Sequence, residues 1–371
     1  GVVVNEGNLE LEAGHQLTLL GGTVINTGTL MSEDGIVTVA AVPGEQLVRL
    51  SQAGNLLNLE FAPIDGLNVT QNEVTVSFNS LSLPEILTGN GADHASELTI
   101  NPDGTIQLSS VEDSFSASTG LSLVSGEIST AGNNGGAITV VGDYLGILNS
   151  NLNASGINGG GTIRLGGDYQ GQGVIPNAVQ TFINEGSNVS ADALVNGEGG
   201  QVIAWADGDT AFYGSSSARG GCEEGNGGLV EVSGKQTLLF EGIVDLNAPN
   251  GDLGLLLLDP TDIFISNESS NPVEVDTQLP NIFQGDFANG ITINATTLQN
   301  QAANIQLEAT NNIEVAAGTN LNFVDGGSII FSADADAEGN GLFSLASGSS
   351  INTNGRPITI IASDIELDSG S

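Results

Sequence analysis

One unit recurs between about residue 126 and residue 258, and it restricts what this chain can fold into more than any other feature. It opens with a short strand ending in a small residue, as in Ile128-Ser-Thr-Ala131-Gly132, and a polar glycine turn follows. A Gly-Gly pair then leads into an alternating apolar strand, Gly135-Gly136-Ala-Ile138-Thr-Val140. That second part returns as Gly160-Gly161-Thr-Ile163-Arg-Leu165, as Gly199-Gly200-Gln-Val202-Ile-Ala204 and as Gly227-Gly228-Leu-Val230-Glu-Val232. The first part returns at Leu152-Asn-Ala154, Val189-Ser-Ala191, Ala218-Arg-Gly220 and Val244-Asp-Leu246-Asn-Ala248. Successive pairs lie 25, 39 and 28 residues apart, the spacing of a solenoid with insertions rather than of a propeller. Each strand alternates with period two, so one face is buried and the other solvated. A single unit cannot bury its apolar face alone, but coils stacked about 4.8 Å apart can. Glycine and asparagine at the corners permit the positive φ of tight turns, and stacked Asn side chains can form ladders.

Composition agrees. Aromatic residues are only 4% against 39% hydrophobic, so Val, Ile, Leu and Ala must build the core, with 53 Gly to turn the chain. No Gly-x-y period exists, which excludes collagen. Five basic residues (Arg49, Arg164, Arg219, Lys235 and Arg356) face 44 acidic ones, for a formal net charge of −39. No phosphate-binding groove can be built from them, so nucleic acid and anionic membrane are poor partners, whereas cations are good ones. The same surface also reads simply as a hydrated, soluble one. Cys222 is the only cysteine, so no intrachain disulfide or thiol metal cluster forms. The longest apolar run, Leu253 to Leu258, is broken by Gly254 and is far too short to span a membrane. No signal peptide is visible, and the sequence reads as a mature form or an interior fragment.

The pattern extends beyond the repeat. Val2 to Val4, Leu9 to Leu11, Leu17 to Leu20, Val24-Ile25, Thr29-Leu30 and Ile36 to Val42 read as short strands separated by glycine turns. Residues 61–104 lose the corner spacing and read as an excursion, with a short helical turn near Pro84 and coils resuming at Gly104-Thr-Ile106-Gln-Leu108. Asp259-Pro260-Thr261-Asp262 is a turn signature that opens an irregular stretch to about 290, after which coil strands return from Ile291-Thr-Ile293 to Ile358-Thr-Ile360. The expected organisation is a helix over 1–258, then 259–371 as an irregular stretch followed by further coils.

Several segments resemble large exoproteins of the filamentous-haemagglutinin family, in particular those of cyanobacterial type. They include Gly166-Gly167-Asp168-Tyr169-Gln170-Gly171, Gly199-Gly200-Gln-Val-Ile-Ala-Trp205-Ala-Asp207, Phe212-Tyr213-Gly214 and Leu256-Leu-Leu-Asp259-Pro260-Thr261-Asp262. Ile305-Gln-Leu-Glu-Ala309 and Gly326-Gly327-Ser328-Ile329 continue the likeness. The resemblance implies an all-β, right-handed parallel β-helix (a β-solenoid) with extra-helical excursions. It also implies two-partner secretion through an outer-membrane β-barrel transporter of a Gram-negative-type bacterium, and roles in adhesion, aggregation or surface-layer formation. The family's Asn-Pro-Asn-Leu and Asn-Pro-Asn-Gly signatures are absent from this sequence, so the transporter-recognition end is missing or divergent.

Chemistry-bearing candidates are few. In Asp334-Ala-Asp336-Ala-Glu338-Gly339-Asn340, carboxylates alternate before a glycine as in a calcium loop, which makes Asp334, Asp336, Glu338 and Asn340 candidate Ca²⁺ ligands. Leu345 stands where the bidentate Glu belongs, and an acidic hairpin is the competing reading. Asp259 and Asp262, with Asp252 nearby, read as turn formers or as a second cation site. Cys222 reads as an inert turn residue beside Glu223-Glu224, and Trp205 as a core or corner-packing residue. His15 and His94 lie far apart and in unlike contexts, which argues against a His-based triad. The reading is a secreted, non-enzymatic surface protein, structural and adhesive, that associates with itself end to end or laterally and meets host, neighbouring-cell or matrix glycans. The alternative is a calcium-dependent β-helix that binds or degrades polysaccharide, for which carboxylate pairs in a groove would be required.

Overall fold

A computed structural model describes residues 1–43, 120–267, 293–368 and 370 in full, and the backbone alone of six short strands between 48 and 117. Each coil contributes three short strands, and each strand pairs in parallel with its equivalent one coil away. The first sheet has twelve strands, beginning at Val2–Asn5 and Thr23–Asn26. The second has seven, beginning at Asn8–Leu11, and the third has ten, beginning at Gln16–Gly21. The chain is a parallel β-helix.

Alternation decides which side chains meet inside. In the third sheet Val37, Ile138, Ile163, Val202, Val230, Leu256, Ile305 and Ile329 stand in one register and all are buried. The second sheet stacks Leu30, Ile128, Leu152 and Val189 in the same way. In the first sheet Phe212 and Phe240 occupy adjacent rungs with ring centroids 5.9 Å apart. One contiguous apolar core therefore runs along the helix axis.

The Gly-Gly pairs close the corner before the third sheet. The second glycine's N–H donates back across the turn, from Gly161 to Ala154 O (2.8 Å), from Gly200 to Ala191 O (2.7 Å) and from Gly228 to Ala218 O (2.7 Å). The glycine carbonyl then accepts from the next coil, as in Gln201 N–H to Gly161 O at 2.9 Å. A Cβ on Gly200 would stand 2.0 Å from Gly161 O, and one on Gly228 would stand 2.0 Å from Gly200 O. Only glycine lets successive corners nest. Buried hydroxyls serve the opposite corner: Thr181 donates to Trp205 O at 2.7 Å and Thr210 to Ser233 O at 2.8 Å. Asn side chains pair between coils, with Asn5 donating to Asn26 at 2.7 Å and Asn184 to Asn149 at 3.0 Å.

Two features break the regular winding. Val48–Leu50 pairs antiparallel with Leu59–Phe61, and the strands Thr75–Val76, Glu97–Ile100, Ile106–Ser109 and Ser114–Ala117 form a separate antiparallel sheet. The excursion is thus wider than its glycine spacing suggests. Ile106 to Leu108 belong to that antiparallel sheet, and the coil resumes at Leu121–Val124, paired to Thr23–Asn26. The expected helical turn near Pro84 lies outside the described residues. The second break follows Ile263–Ser266, which is itself a rung of the first sheet. Ile293–Asn294 slots between Thr237–Phe240 and Ile263–Ser266, out of sequence order. A one-turn helix, Ala295–Gln299, then takes the place of a second-sheet strand, capped by Asn294 accepting from Thr296 and Thr297 N–H. Gln301 and Gln299 side-chain oxygens receive the strand N–H groups of Val244 (3.0 Å) and Asn322 (2.8 Å) on either side of it.

Candidate functional site

The outer face of the third sheet should be solvated at every second residue, and toward the C-terminal end of the ladder it is. Asn304–Ala309 and Ile329–Ala333 alternate strictly between buried and part-exposed positions. In the three strands before them alternation fails: Ile203, Glu231 and Leu257 share one outward register, as do Trp205 and Ser233 in the next, and all are buried. Something covers them.

The cover is the insertion that makes one repeat 39 residues long. After Thr162–Leu165 the chain leaves the coil at Gly166, whose carbonyl accepts from Ala178 N–H at 2.6 Å, so residues 167–177 form a closed loop. The loop folds as a strap over the later coils. Asp168 anchors its base by accepting from Arg164 Nε (2.9 Å) and capping Tyr169 N–H (2.9 Å). Gly167 and Gly171 lie flat on Trp205, where Cβ atoms would stand 2.7 and 2.4 Å from the indole. Asn177 ties the far side, donating to Gly171 O (2.9 Å) and Asp207 (3.0 Å), and Asp207 also accepts from the Trp205 indole N–H at 3.2 Å.

At the tip, Gln170 adopts a left-handed conformation (φ 51°) and aims its donors at three carboxylates from three successive coils. Its backbone N–H meets both oxygens of Glu231, at 3.0 and 3.1 Å. Its side-chain amide donates to Glu308 at 2.9 Å and Asp259 at 3.4 Å. Gln306 also donates to Glu308. Burial pushes Glu231 up to about 8, reinforced by the negative charges of Asp259 and Glu308 and opposed by the bonds from Gln170 and Ser233. Burial, then the charge of Glu308, lifts Asp259 to about 6. The Tyr169 phenol is raised by burial and by the same three carboxylates. Carboxylates held at different protonation states are the raw material of acid–base chemistry. Glu231, however, is 0% exposed with both oxygens bound to the strap, so no external molecule reaches it while the strap is seated.

The other candidates are dispersed. Asp334, with φ 64°, accepts the Ser363 hydroxyl and, on both oxygens, Gly339 N–H (2.9 and 3.0 Å), and these bonds, Ser363 foremost, hold its carboxyl below the ordinary range. Asp336 accepts Glu338 N–H at 3.3 Å, and Glu338 and Asn340 are exposed. This is the bonding of a polar turn between two strands. Among the described residues no group of three or more His, Cys, Asp or Glu side chains is placed to hold a metal ion. Asp262 caps the next coil through Asn312 N–H (3.1 Å), away from Asp259 on the outer face, and Asp252 N–H bonds Asn226. Cys222 is exposed. Arg164 and Arg219 are paired with Asp168 and Asp192, and Arg356 is buried against backbone carbonyls. Among the described residues no helix is long and apolar enough to cross a membrane.

Comparison of the chain with protein-family models and with curated proteins gives no match. Glu231, Glu308, Gln170 and Gln306 are the site residues that sequence reasoning does not find. The long repeat and the consecutive apolar residues at Val202 to Trp205 and Leu255 to Leu258 are the signals that could have pointed to a covered outer face.

Proposed function

We propose that this chain is the shaft of a secreted bacterial surface protein that makes structure and contacts rather than catalysing a reaction, serving adhesion, aggregation or surface-fibre formation. The observation that carries this reading is the ten-strand parallel ladder of the third sheet, which at the usual strand spacing gives a shaft about 43 Å long. The net charge of −39 supports a hydrated exterior role, and with Arg164 and Arg219 paired to carboxylates and Arg356 buried, little is left with which to bind polyanions. Export through an outer-membrane β-barrel transporter, self-association and glycan contacts belong to this proposal. A second reading, polysaccharide binding or cleavage, is favoured by one observation, the grouping of Glu231, Asp259 and Glu308 beside Trp205 and Tyr169.

Two measurements on the purified chain decide between them. Electron microscopy and light scattering at rising concentration, with millimolar calcium or chelator, should show rods that associate. Incubation with acidic and neutral polysaccharides should release no new chain ends. Release that disappears in Glu231→Gln overturns the non-enzymatic reading, and single short rods at every concentration overturn self-association.

A further inference from the structure

We infer that the strap of residues 167–177 is a proton-controlled latch, seated on the outer face at acidic pH and released as pH rises, which uncovers Trp205 and the carboxylates beneath it. Three observations carry this. The strap leaves its coil at Gly166 (φ 76°) and carries Gly171 (φ 62°) and Gly173 (φ 144°) within it, left-handed or open conformations that let it swing about its base without disturbing the ladder. Its tip bonds to side chains of the third sheet rather than to that sheet's backbone: Gln170 holds Glu231, Glu308 and Asp259. And the groups facing Glu231 carry no compensating cation. Asp259 and Glu308 face it from the following coils, Tyr169 from the strap and Ser233 from its own strand, while Arg164, two strands away, is committed to Asp168. Asp207 lies at the Trp205 end and bonds the indole and Asn177.

The sign follows from which state holds the protons. Beneath the seated strap Glu231 and Asp259 keep theirs to about pH 8 and about pH 6; opened to water, both return toward the ordinary carboxyl range. The seated state is therefore fully favoured at low pH. As pH rises, each group loses its proton to solvent more readily from the open state, and the closed-to-open ratio falls by up to about tenfold per pH unit for each group until its seated value is passed. Above about pH 8, three negative charges crowd a site sealed from water.

Trp205 is the only tryptophan, so its fluorescence reports on the strap alone. Acrylamide quenching of the intact chain, read from about pH 5 to about pH 9 alongside far-ultraviolet circular dichroism, tests the latch. Quenching should rise several-fold, with a midpoint between about 6 and about 8 and an unchanged dichroism spectrum. Glu231→Gln should abolish the upper part of the transition. Glu308→Gln should shrink the transition and move what remains to higher pH, because without the charge that raises both neighbours they ionise more readily beneath the seated strap, and it keeps the test open if the first variant does not fold. Quenching that is flat across the range, that changes only together with the dichroism, or that is identical in wild type and Glu308→Gln overturns the inference.

Discussion

Replacing Gly200 by alanine tests whether the Gly-Gly pairs set the distance between coils. The new Cβ would lie 2.0 Å from Gly161 O, 2.7 Å from Gly160 C and 2.9 Å from Ala191 O, all of them backbone atoms that cannot rotate aside. Ordinary contact needs more than 3 Å, so the coil must lift by about 1 Å at this corner. That lift stretches Gln201 N–H to Gly161 O and Gly200 N–H to Ala191 O, now 2.9 and 2.7 Å. Two buried hydrogen bonds weakened at about 1 kcal/mol each, with about 1–3 kcal/mol for overpacking, predict a loss of about 3–5 kcal/mol. Two controls separate crowding from the loss of glycine itself. Gly318 has φ 72° with nothing within 4 Å of a Cβ, so Gly318→Ala should cost only the left-handed penalty of about 1 kcal/mol. Gly7 has neither problem, its nearest contact being 3.9 Å away, and Gly7→Ala should be near neutral. Urea unfolding of the three variants gives the ranking. If Gly200→Ala is no less stable than Gly318→Ala, coil spacing is not governed by these corners.

The other predictions concern different parts of the fold. Arg356→Leu should cost about 3 kcal/mol by thermal or urea unfolding, because the buried guanidinium donates to Gln301, Ala303 and Gly327 carbonyls and sits 5.4 Å over Phe323, and its loss leaves Ala303 O with only the Gly327 N–H and takes the arginine donor from Gln301 O and Gly327 O. Excising residues 43–119 should leave a folded shaft with unchanged parallel coils, because Val42 and Gly120 already bond to consecutive carbonyls, Gly21 and Gly22, and would form a two-residue turn like Gly142-Asp143; circular dichroism and melting temperature check it. Asp334→Ala should lower the melting temperature equally in calcium and in chelator if the carboxylate serves only Gly339 and Ser363; a calcium-dependent rise in wild type that the variant loses would place a cation there.

Most of the helix was legible because its determinants are local. The strands predicted at Val2, Leu9, Leu17, Val24, Thr29 and Ile36 all form, since alternation and glycine punctuation act over a few residues. Trp205 was legible as buried but not as outward-facing, because a strand pattern cannot say whether burial comes from the core or from a cover. Glu231 read as a solvated residue between Val230 and Val232, which is correct for an uncovered sheet. What hides it is a loop more than sixty positions earlier, and its landing site depends on how many coils lie between, a quantity set by the stacked geometry. The reach of the antiparallel excursion escaped notice for a related reason: Ile106-Gln-Leu108 alternates like any coil strand, and partner choice is not written in its own residues.

Stacking strands across the long axis has a mechanical consequence. A pull along that axis loads the ladder hydrogen bonds end-on, so coils should peel away singly rather than shear together. Each released coil of 25 to 28 residues would lengthen the chain by about 80–100 Å at full extension. In the surface role proposed above, such a shaft would give ground in steps under flow and rewind when the load drops. The strap alters that sequence, because Gln170 bridges to side chains two, three and four coils ahead of its own strand, so those coils should yield together at a higher force than their neighbours.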